Sequence, residues 1–306
     1  MRVLVTGADG QLGRDLQDAL AGRVPAGGRR CALLAPEGPL EGLHHEVLAT
    51  DIGNMRVDDR DAVLATFHAF RPEVVLHGGA ITAVDLCETE VDLAFAVNAI
   101  GTRNVAEAAA MVGAHALYVS TDYVFDGTSG RPYREWDTPN PMSVYGASKL
   151  AGERECRPGS TIVRTSWVCG AHGANMVKTA LRLADGDGEL RFVDDQHGSP
   201  TFTADLAAAI VTLGLDRRPG TFHVTNQGAT TWWGLVRAVL AEVGADPERV
   251  KAIGTADLDP PRPAPRPANS RLDNLALRLG GLPVLPEWQD GLSRLVAALR
   301  AQEDGA

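Results

Sequence analysis

Val3-Leu-Val5 is a short, unbroken apolar run, the pattern of a strand buried on both faces of a parallel sheet. A glycine-rich turn from Gly7 to Gly13 follows, and Leu12, Leu16 and Leu20 then recur at helical spacing. Cys31–Ala35 reads as a second strand, Ala62–Phe70 as a helix stopped by Arg71-Pro72, and Val74–His77 as a third strand. A long helix is predicted over Val91–Val112 and a fourth strand over Ala116–Ser120. A loop rich in glycine and proline leads to a helix carrying Tyr145 and Lys149. Thr161–Arg164 closes the series as a further strand. Strand alternating with helix predicts an α/β fold, a Rossmann-type doubly wound parallel sheet.

After about residue 170 the rhythm changes. Helices are expected over Asn175–Leu183, Thr203–Leu215 and Thr230–Val243, with short strands at Leu190–Val193 and Phe222–Val224. Asp259–Pro267 reads as an extended loop, and Trp288–Leu299 as a final amphipathic helix. This divides the chain into a dinucleotide-binding domain over residues 1–170 and a smaller α/β substrate-binding lobe over 171–306. Ligands of such sheets bind at the carboxyl ends of the strands.

The glycine turn carries the first chemistry. Gly7, Gly10 and Gly13 follow a strand and open a helix, where a tight turn lets the backbone approach a pyrophosphate. The helix N-terminus then offers free N–H groups to the phosphates. The end of the expected second strand, Leu34-Ala-Pro-Glu37, has no acidic residue at its tip for a ribose diol, and no arginine follows it for a 2′-phosphate. The cofactor is therefore read as NADPH or NADH, with NADPH slightly ahead.

Tyr145 and Lys149 carry the second. Four residues apart on a helix, they share one face at roughly 5–6 Å between Cβ atoms. An ammonium group there favours the phenolate and draws the phenol towards the working range. Thr121, at the end of the fourth strand, is placed to hydrogen-bond a substrate carbonyl together with the Tyr145 hydroxyl. Thr121, Tyr145 and Lys149 form an acid/base device for hydride transfer to a ketone.

Composition narrows the partners. The 306 residues are 44% hydrophobic and 22% charged, which suits a soluble globular chain with a sizeable core. A net charge of -10 argues against nucleic acid or an anionic membrane as the main partner. The four cysteines are widely separated, which suggests neither a zinc site nor a disulfide framework. No signal peptide and no apolar run of about eighteen residues is visible, so a cytoplasmic location is expected.

These motifs are similar to those of extended short-chain dehydrogenases/reductases. Longer runs narrow the resemblance: Ala80–Glu88, Ser120–Phe125, Tyr145–Glu153, Arg164–Val168, Asp195–Thr201 and Arg266–Leu272. In that order they resemble the dTDP-4-dehydrorhamnose reductase family. The resemblance implies reduction of the C4 ketone of a dTDP-4-keto-6-deoxy sugar by a monomer or homodimer. It implies that Gly10, Gln11 and Leu12 line the pyrophosphate, that Gly79, Ala80, Ile81 and Val119 line the adenosine and ribose side of the cofactor, and that Asp51 and Ile52 flank the adenine. Val84, Asp85, Thr121 and Asp122 would hold the sugar, with Trp167 over its ring. Asn98 would brace the site, and Arg262 and Arg266 would meet the nucleotide diphosphate. Related 4,6-dehydratases carry a glutamate where this chain has Tyr123, which favours ketone reduction over elimination of water. Some members of the family hold Mg2+ between carboxylates near the first and last helices. Asp15 is one candidate, but the last helix runs Leu295-Val-Ala-Ala-Leu299 and from there offers no carboxylate before Glu303. A reductase for another dTDP-deoxysugar, such as a dTDP-dihydrostreptose synthase, and a non-catalytic dinucleotide-binding regulatory subunit are the competing readings.

Overall fold

The computed structural model describes residues 1–28 and 45–304. Six parallel strands form the central sheet: β1 (Arg2–Thr6), β2 (Glu46–Thr50), β3 (Val74–His77), β4 (His115–Thr121), β5 (Thr161–Thr165) and β6 (Gly220–His223). Their spatial order is β2-β1-β3-β4-β5-β6. The order reverses between β1 and β3, which pair in register from Val3 with Val74 to Thr6 with His77. A crevice opens at the carboxyl ends on either side of such a reversal.

The strand beside β1 is Glu46–Thr50, paired from Arg2 with Glu46 to Thr6 with Thr50. The expected strand Cys31–Ala35 lies outside the described residues. The difference matters for the cofactor, because β2 runs directly into Asp51. A carboxylate does stand at the strand tip.

Both faces of the sheet are covered. On one, Leu16 and Leu20 of the helix Gln11–Leu20 pack with Leu206, Ile210 and Leu213 of the helix Thr203–Leu215, over Val3, Val5 and Leu76. On the other, Val63 and Phe67 pack with Val105 and Ala108 over Leu4 and Val75. Buried as they are on both faces, the strands read as continuous apolar runs.

The long helix predicted from Val91 is interrupted. Val91–Phe95 and Gly101–Val112 are α-helical, and a π-helical turn at Ala96–Ile100 joins them. Single π turns inside helices recur at functional sites, and this one carries Asn98.

The chain does not part cleanly at residue 170. The helix Thr203–Leu215 and strand β6 both return to the first layer, where β6 pairs with β5. What remains beyond β5 forms a second core. Val177 and Ala180 of the helix Met176–Ala184 pack with Leu235 and Val239 of Trp232–Glu242, Leu292 and Val296 of Trp288–Asp304, and Val250 of the strand Val250–Ile253. A short parallel pair, Leu190–Val193 with Val250–Ile253, edges it.

Gly13 sets how closely the first helix approaches the turn. A Cβ there would lie 2.1 Å from the Gly7 carbonyl oxygen and 2.7 Å from Ala8 Cα. Gly13→Ala should therefore destabilise the fold by about 1–3 kcal/mol, read as a lower Tm in thermal denaturation. An unchanged Tm would show that the turn can relax around a methyl group.

Candidate active site

A cleft of about 940 Å3 runs along the carboxyl ends of the strands. One end is the glycine turn. Gly7 takes a left-handed φ of 70°. Gly10 caps the following helix with no side-chain bond to its first N–H groups, which leaves that end to the cleft. Gln11 turns its amide the other way: Oε1 accepts from Gly170 N at 3.2 Å and from Asn175 Nδ2 at 2.8 Å, tying the turn to the second lobe. Asp51 adds a carboxylate at the tip of β2. Its Oδ2 accepts from Asp9 N at 2.9 Å and its Oδ1 from Ile52 N at 2.7 Å.

The opposite wall is the helix Val144–Glu155. Ser143 caps it by accepting from Gly146 N at 3.1 Å, and Glu88 Oε1 accepts from Val144 N at 2.8 Å. Tyr145 and Lys149 are both buried on its inward face. Tyr145 shares a hydrogen bond with Thr121 and meets Tyr123 edge-on at 5.6 Å. Lys149 Nζ donates to the Val119 carbonyl at 2.8 Å and sits 4.2 Å over the Tyr118 ring.

Burial governs the electrostatics. It pushes Tyr145 above the ordinary phenol range, an effect the Thr121 hydrogen bond only partly opposes. It lowers Lys149 to about 7, against the pull of Glu153. It raises Asp122 to about 7, opposed by hydrogen bonds from Ser270 and Thr121. Burial is the largest influence on Tyr145, so the phenol lies above its ordinary range and not below it as expected from Lys149.

A layer behind the cleft fixes these side chains. Asn98 is fully buried. Its Oδ1 accepts from Ile81 N at 2.9 Å, and its Nδ2 donates to the Ile81 carbonyl at 3.1 Å and to Ser148 Oγ at 3.0 Å. It clamps the loop after β3 onto the Tyr145 helix. Glu153 takes a bidentate pair from Arg164 at 2.8 and 2.7 Å and a hydrogen bond from Ser120 at 2.5 Å, joining β4, β5 and that helix. The signal for this group was the run Tyr145–Glu153 together with Arg164, but sequence alone does not show that the two charges meet.

Of the predicted site residues, Gly7, Gly10, Gln11, Leu12, Gly13, Asp51, Ile52, Gly79, Ala80, Ile81, Val84, Val119, Thr121, Asp122, Tyr145, Lys149 and Trp167 line the cleft, whereas Asp85, Arg262 and Arg266 do not and Asn98 lies behind it. Asp85 is engaged elsewhere. Arg266 holds both its oxygens at 2.5 and 2.8 Å, Ala264 N adds 3.2 Å, and Arg262 approaches to 3.7 Å. The same pairing corrects the expectation for Arg262 and Arg266. They fasten the proline-rich loop to the helix Val84–Thr89. Sequence reasoning missed Asp9, Met55, Arg56, Val57 and Asp58 at the glycine-turn end, and Trp232 at the other.

Asp15 is fully buried, and burial raises its pKa against the opposing pull of Thr203 and His172. Ligand atoms of Asp15, Asp18 and His172 lie within 4.8 Å of one another. An imidazole in this set does not match Mg2+, which takes oxygen donors in near-octahedral geometry. The last helix sends Arg294 to Asp205 and Asp290, and among the described residues it brings no carboxylate to Asp15. These residues do not fit Mg2+.

Parallel sheet, glycine turn and Thr-Tyr-Lys wall together define an oxidoreductase of the extended short-chain dehydrogenase/reductase class. The comparisons narrow this. The profile of the RmlD substrate binding domain matches residues 1–301. A dTDP-4-dehydrorhamnose reductase of Streptomyces griseus is 42% identical over 97% of this chain and 94% of its own. A dTDP-4-dehydrorhamnose reductase of Clostridium acetobutylicum superposes with a TM-score of 0.88 at 38% identity, covering 98% of this chain and all of that one. One from Bacillus anthracis, solved in complex with NADP, gives 0.86 at 36% identity over 97% and 98% of the two chains. The chain belongs to the dTDP-4-dehydrorhamnose reductase family.

Glu153→Gln leaves Arg164 buried without its counter-charge, a change that typically costs about 3–5 kcal/mol. A marked fall in Tm with disordered cleft geometry is expected; a Tm within a degree or so of wild type would show that the pair is dispensable.

Proposed function

We propose that this protein reduces the C4 ketone of dTDP-4-dehydro-L-rhamnose to dTDP-L-rhamnose with NADPH or NADH. The observation that carries the reading is the meeting of Thr121, Tyr145 and Lys149 in one cleft with the glycine turn. The cleft's size suits a dinucleotide and a second ligand end to end, and the uncapped helix beyond Gly10 suits a pyrophosphate. When bound, a reduced nicotinamide supplies the hydride.

The chain's own residues do the rest. Gly10, Gln11 and Leu12 bind the pyrophosphate, and Gly79, Ala80, Ile81 and Val119 border the ribose and adenosine. Thr121 orients the ketone and holds the Tyr145 hydroxyl. Tyr145 donates its proton to the oxygen as negative charge develops there. A phenol pushed upwards by burial stays protonated, which suits a donor. Lys149 supplies positive charge to the nicotinamide ribose and to the phenolate left after transfer. Tyr123 stands where a dehydratase would need a carboxylate, so the site ends with reduction. Val84, Asp122 and residues of the second lobe hold the sugar nucleotide.

The remaining attributes follow from the same reading. A cytoplasmic location, as monomer or homodimer, agrees with free thiols at Cys87, Cys156 and Cys169. Among the described residues no helix is long and apolar enough to cross a membrane.

Tyr145→Phe should lower kcat by about 10²–10⁴-fold with little change in cofactor Kd, measured by cofactor oxidation with dTDP-4-keto sugars and by titration calorimetry. Normal turnover in this variant would remove Tyr145 as the acid. A panel of dTDP-4-keto sugars identifies the preferred one.

Free-enzyme groups govern kcat/KM. It should fall as pH rises through about 7, where Lys149 loses its proton. Asp122→Asn removes the other group that titrates near 7 and should leave that limb in place. A profile flat to well above neutral would contradict the role given to Lys149.

Asp51 sets a negative charge at the β2 tip, against a 2′-phosphate. Asp51→Ala should raise the ratio of kcat/KM for NADPH to that for NADH; a ratio that stays put would place the ribose elsewhere.

A further inference from the structure

Behind the cleft, where β1 and β3 end side by side, a run of hydrogen bonds passes through His77. Thr6 closes β1, His77 closes β3, and Thr102 lies on the helix Gly101–Val112. All three are buried. His77 Nδ1 lies 2.6 Å from Thr6 Oγ1, and Nε2 lies 3.2 Å from Thr102 Oγ1. Beyond Thr6 the run reaches Gly79 N at 3.1 Å, and beyond Thr102 the Asn98 carbonyl at 2.7 Å.

The two ends fix the protons between them. A carbonyl oxygen only accepts, so the one hydroxyl proton of Thr102 goes to Asn98. Thr102 must then accept from His77, which puts a proton on Nε2. At the other end Gly79 N–H only donates, and Thr6 Oγ1 accepts from it. In a neutral ring Nδ1 is the acceptor, and the Thr6 hydroxyl donates to it. A ring protonated on both nitrogens would set Nδ1–H against the Thr6 oxygen and leave the Thr6 proton without this acceptor. The surroundings agree with the neutral form. Burial, and after it the Lys149 charge, lower the imidazole to about 3.

Both ends of the run serve one stretch of backbone. Gly79, Ala80 and Ile81 line the cleft, whereas Thr6, His77, Asn98 and Thr102 do not. Gly79 N is held through Thr6. Ile81 is held at its N–H and its carbonyl by the Asn98 side chain, at 2.9 and 3.1 Å. Asn98 is in turn held at its own carbonyl by Thr102. From Gly79 through Thr6, His77, Thr102 and Asn98 to Ile81, the bonds return to the same three residues. Gly79 also sits close on its support: a Cβ there would lie 3.1 Å from Thr6 Oγ1.

We infer that His77, as the neutral tautomer with its proton on Nε2, is a positioning residue for the Gly79–Ile81 wall of the cofactor half of the cleft. The inference rests on the proposed function and deepens it. Contacts that this backbone makes with the dinucleotide are set from behind by a side chain that touches no ligand. A buried donor and acceptor that lose their partner cost more than the bond itself contributed, so removing the ring loosens both ends of the wall.

His77→Leu keeps apolar bulk and removes both nitrogens. It should weaken cofactor binding about tenfold, the scale of one buried polar group left unpaired, and leave KM for the dTDP-4-keto sugar within about twofold. His77→Asn returns an acceptor and a donor and should recover most of the loss. Thr6→Val cuts the run beside the ring and should shift the same Kd, which keeps the test open if His77→Leu fails to fold. Cofactor Kd is read by titration calorimetry without sugar, and both KM values by cofactor oxidation. A wild-type Kd in folded His77→Leu or Thr6→Val would overturn the inference. So would equal rises in the sugar and cofactor KM with a lowered Tm and no rescue by Asn, the mark of a purely structural role. Nitrogen-15 NMR of the wild-type imidazole should show a proton on Nε2 alone at neutral pH; a proton on Nδ1 would overturn the assignment. Wild-type enzyme that binds neither NADPH nor NADH sinks the proposed function and this inference together, whereas tight wild-type binding beside an indifferent His77→Leu sinks the inference alone.

Discussion

Burying an ammonium group at the carboxyl edge of the sheet is the constraint on which this site depends. Lys149 sits under the cleft with one carbonyl, that of Val119, and the face of Tyr118 for company. Desolvation disfavours its charge. The surroundings hold it in place all the same. Its helix is capped by Ser143, clamped through Ser148 to Asn98, and bonded through Glu153 to Arg164 and Ser120. Each of those partners comes from a different element. The geometry of Tyr145 and Thr121 is inherited from the same helix and strand, so the reacting groups are only as well placed as this buried polar layer is complete.

The same burial shapes the chemistry. Low polarity keeps Tyr145 protonated and leaves Lys149 and Asp122 poised near neutrality. A carbonyl entering the cleft meets a proton donor that releases its proton only as negative charge appears on the oxygen. Preorganised donors in a water-poor cleft are worth more than the same groups in solution.

Much of this was legible in the chain. The apolar run before Gly7, the glycine spacing, and Tyr145 with Lys149 located both ends of the cleft, because short-range patterns encode strand, turn and helix directly. What escaped depends on contacts far apart in sequence. Nothing local shows that Arg266 would be spent on Asp85 rather than on a phosphate, or that Trp232 would stack on Trp167. Glu46–Thr50 alternates weakly and follows a long segment, so its pattern does not announce the strand that pairs with β1, and Asp51 is not legible as the residue at that strand's tip. The division at residue 170 followed a change of rhythm, but the helix Thr203–Leu215 and β6 rejoin the first sheet through apolar faces that sequence order does not reveal.

The central claim is that one cleft brings a hydride donor and the Tyr145 proton to the same ketone. Tracing the hydride tests it most directly. With a cofactor carrying deuterium at the transferable C4 position and a dTDP-4-keto-6-deoxy sugar as substrate, the product would be examined by NMR and mass spectrometry. The account predicts one deuterium, on C4 of the sugar. Deuterium at another carbon, or a sugar altered without any deuterium, would contradict it.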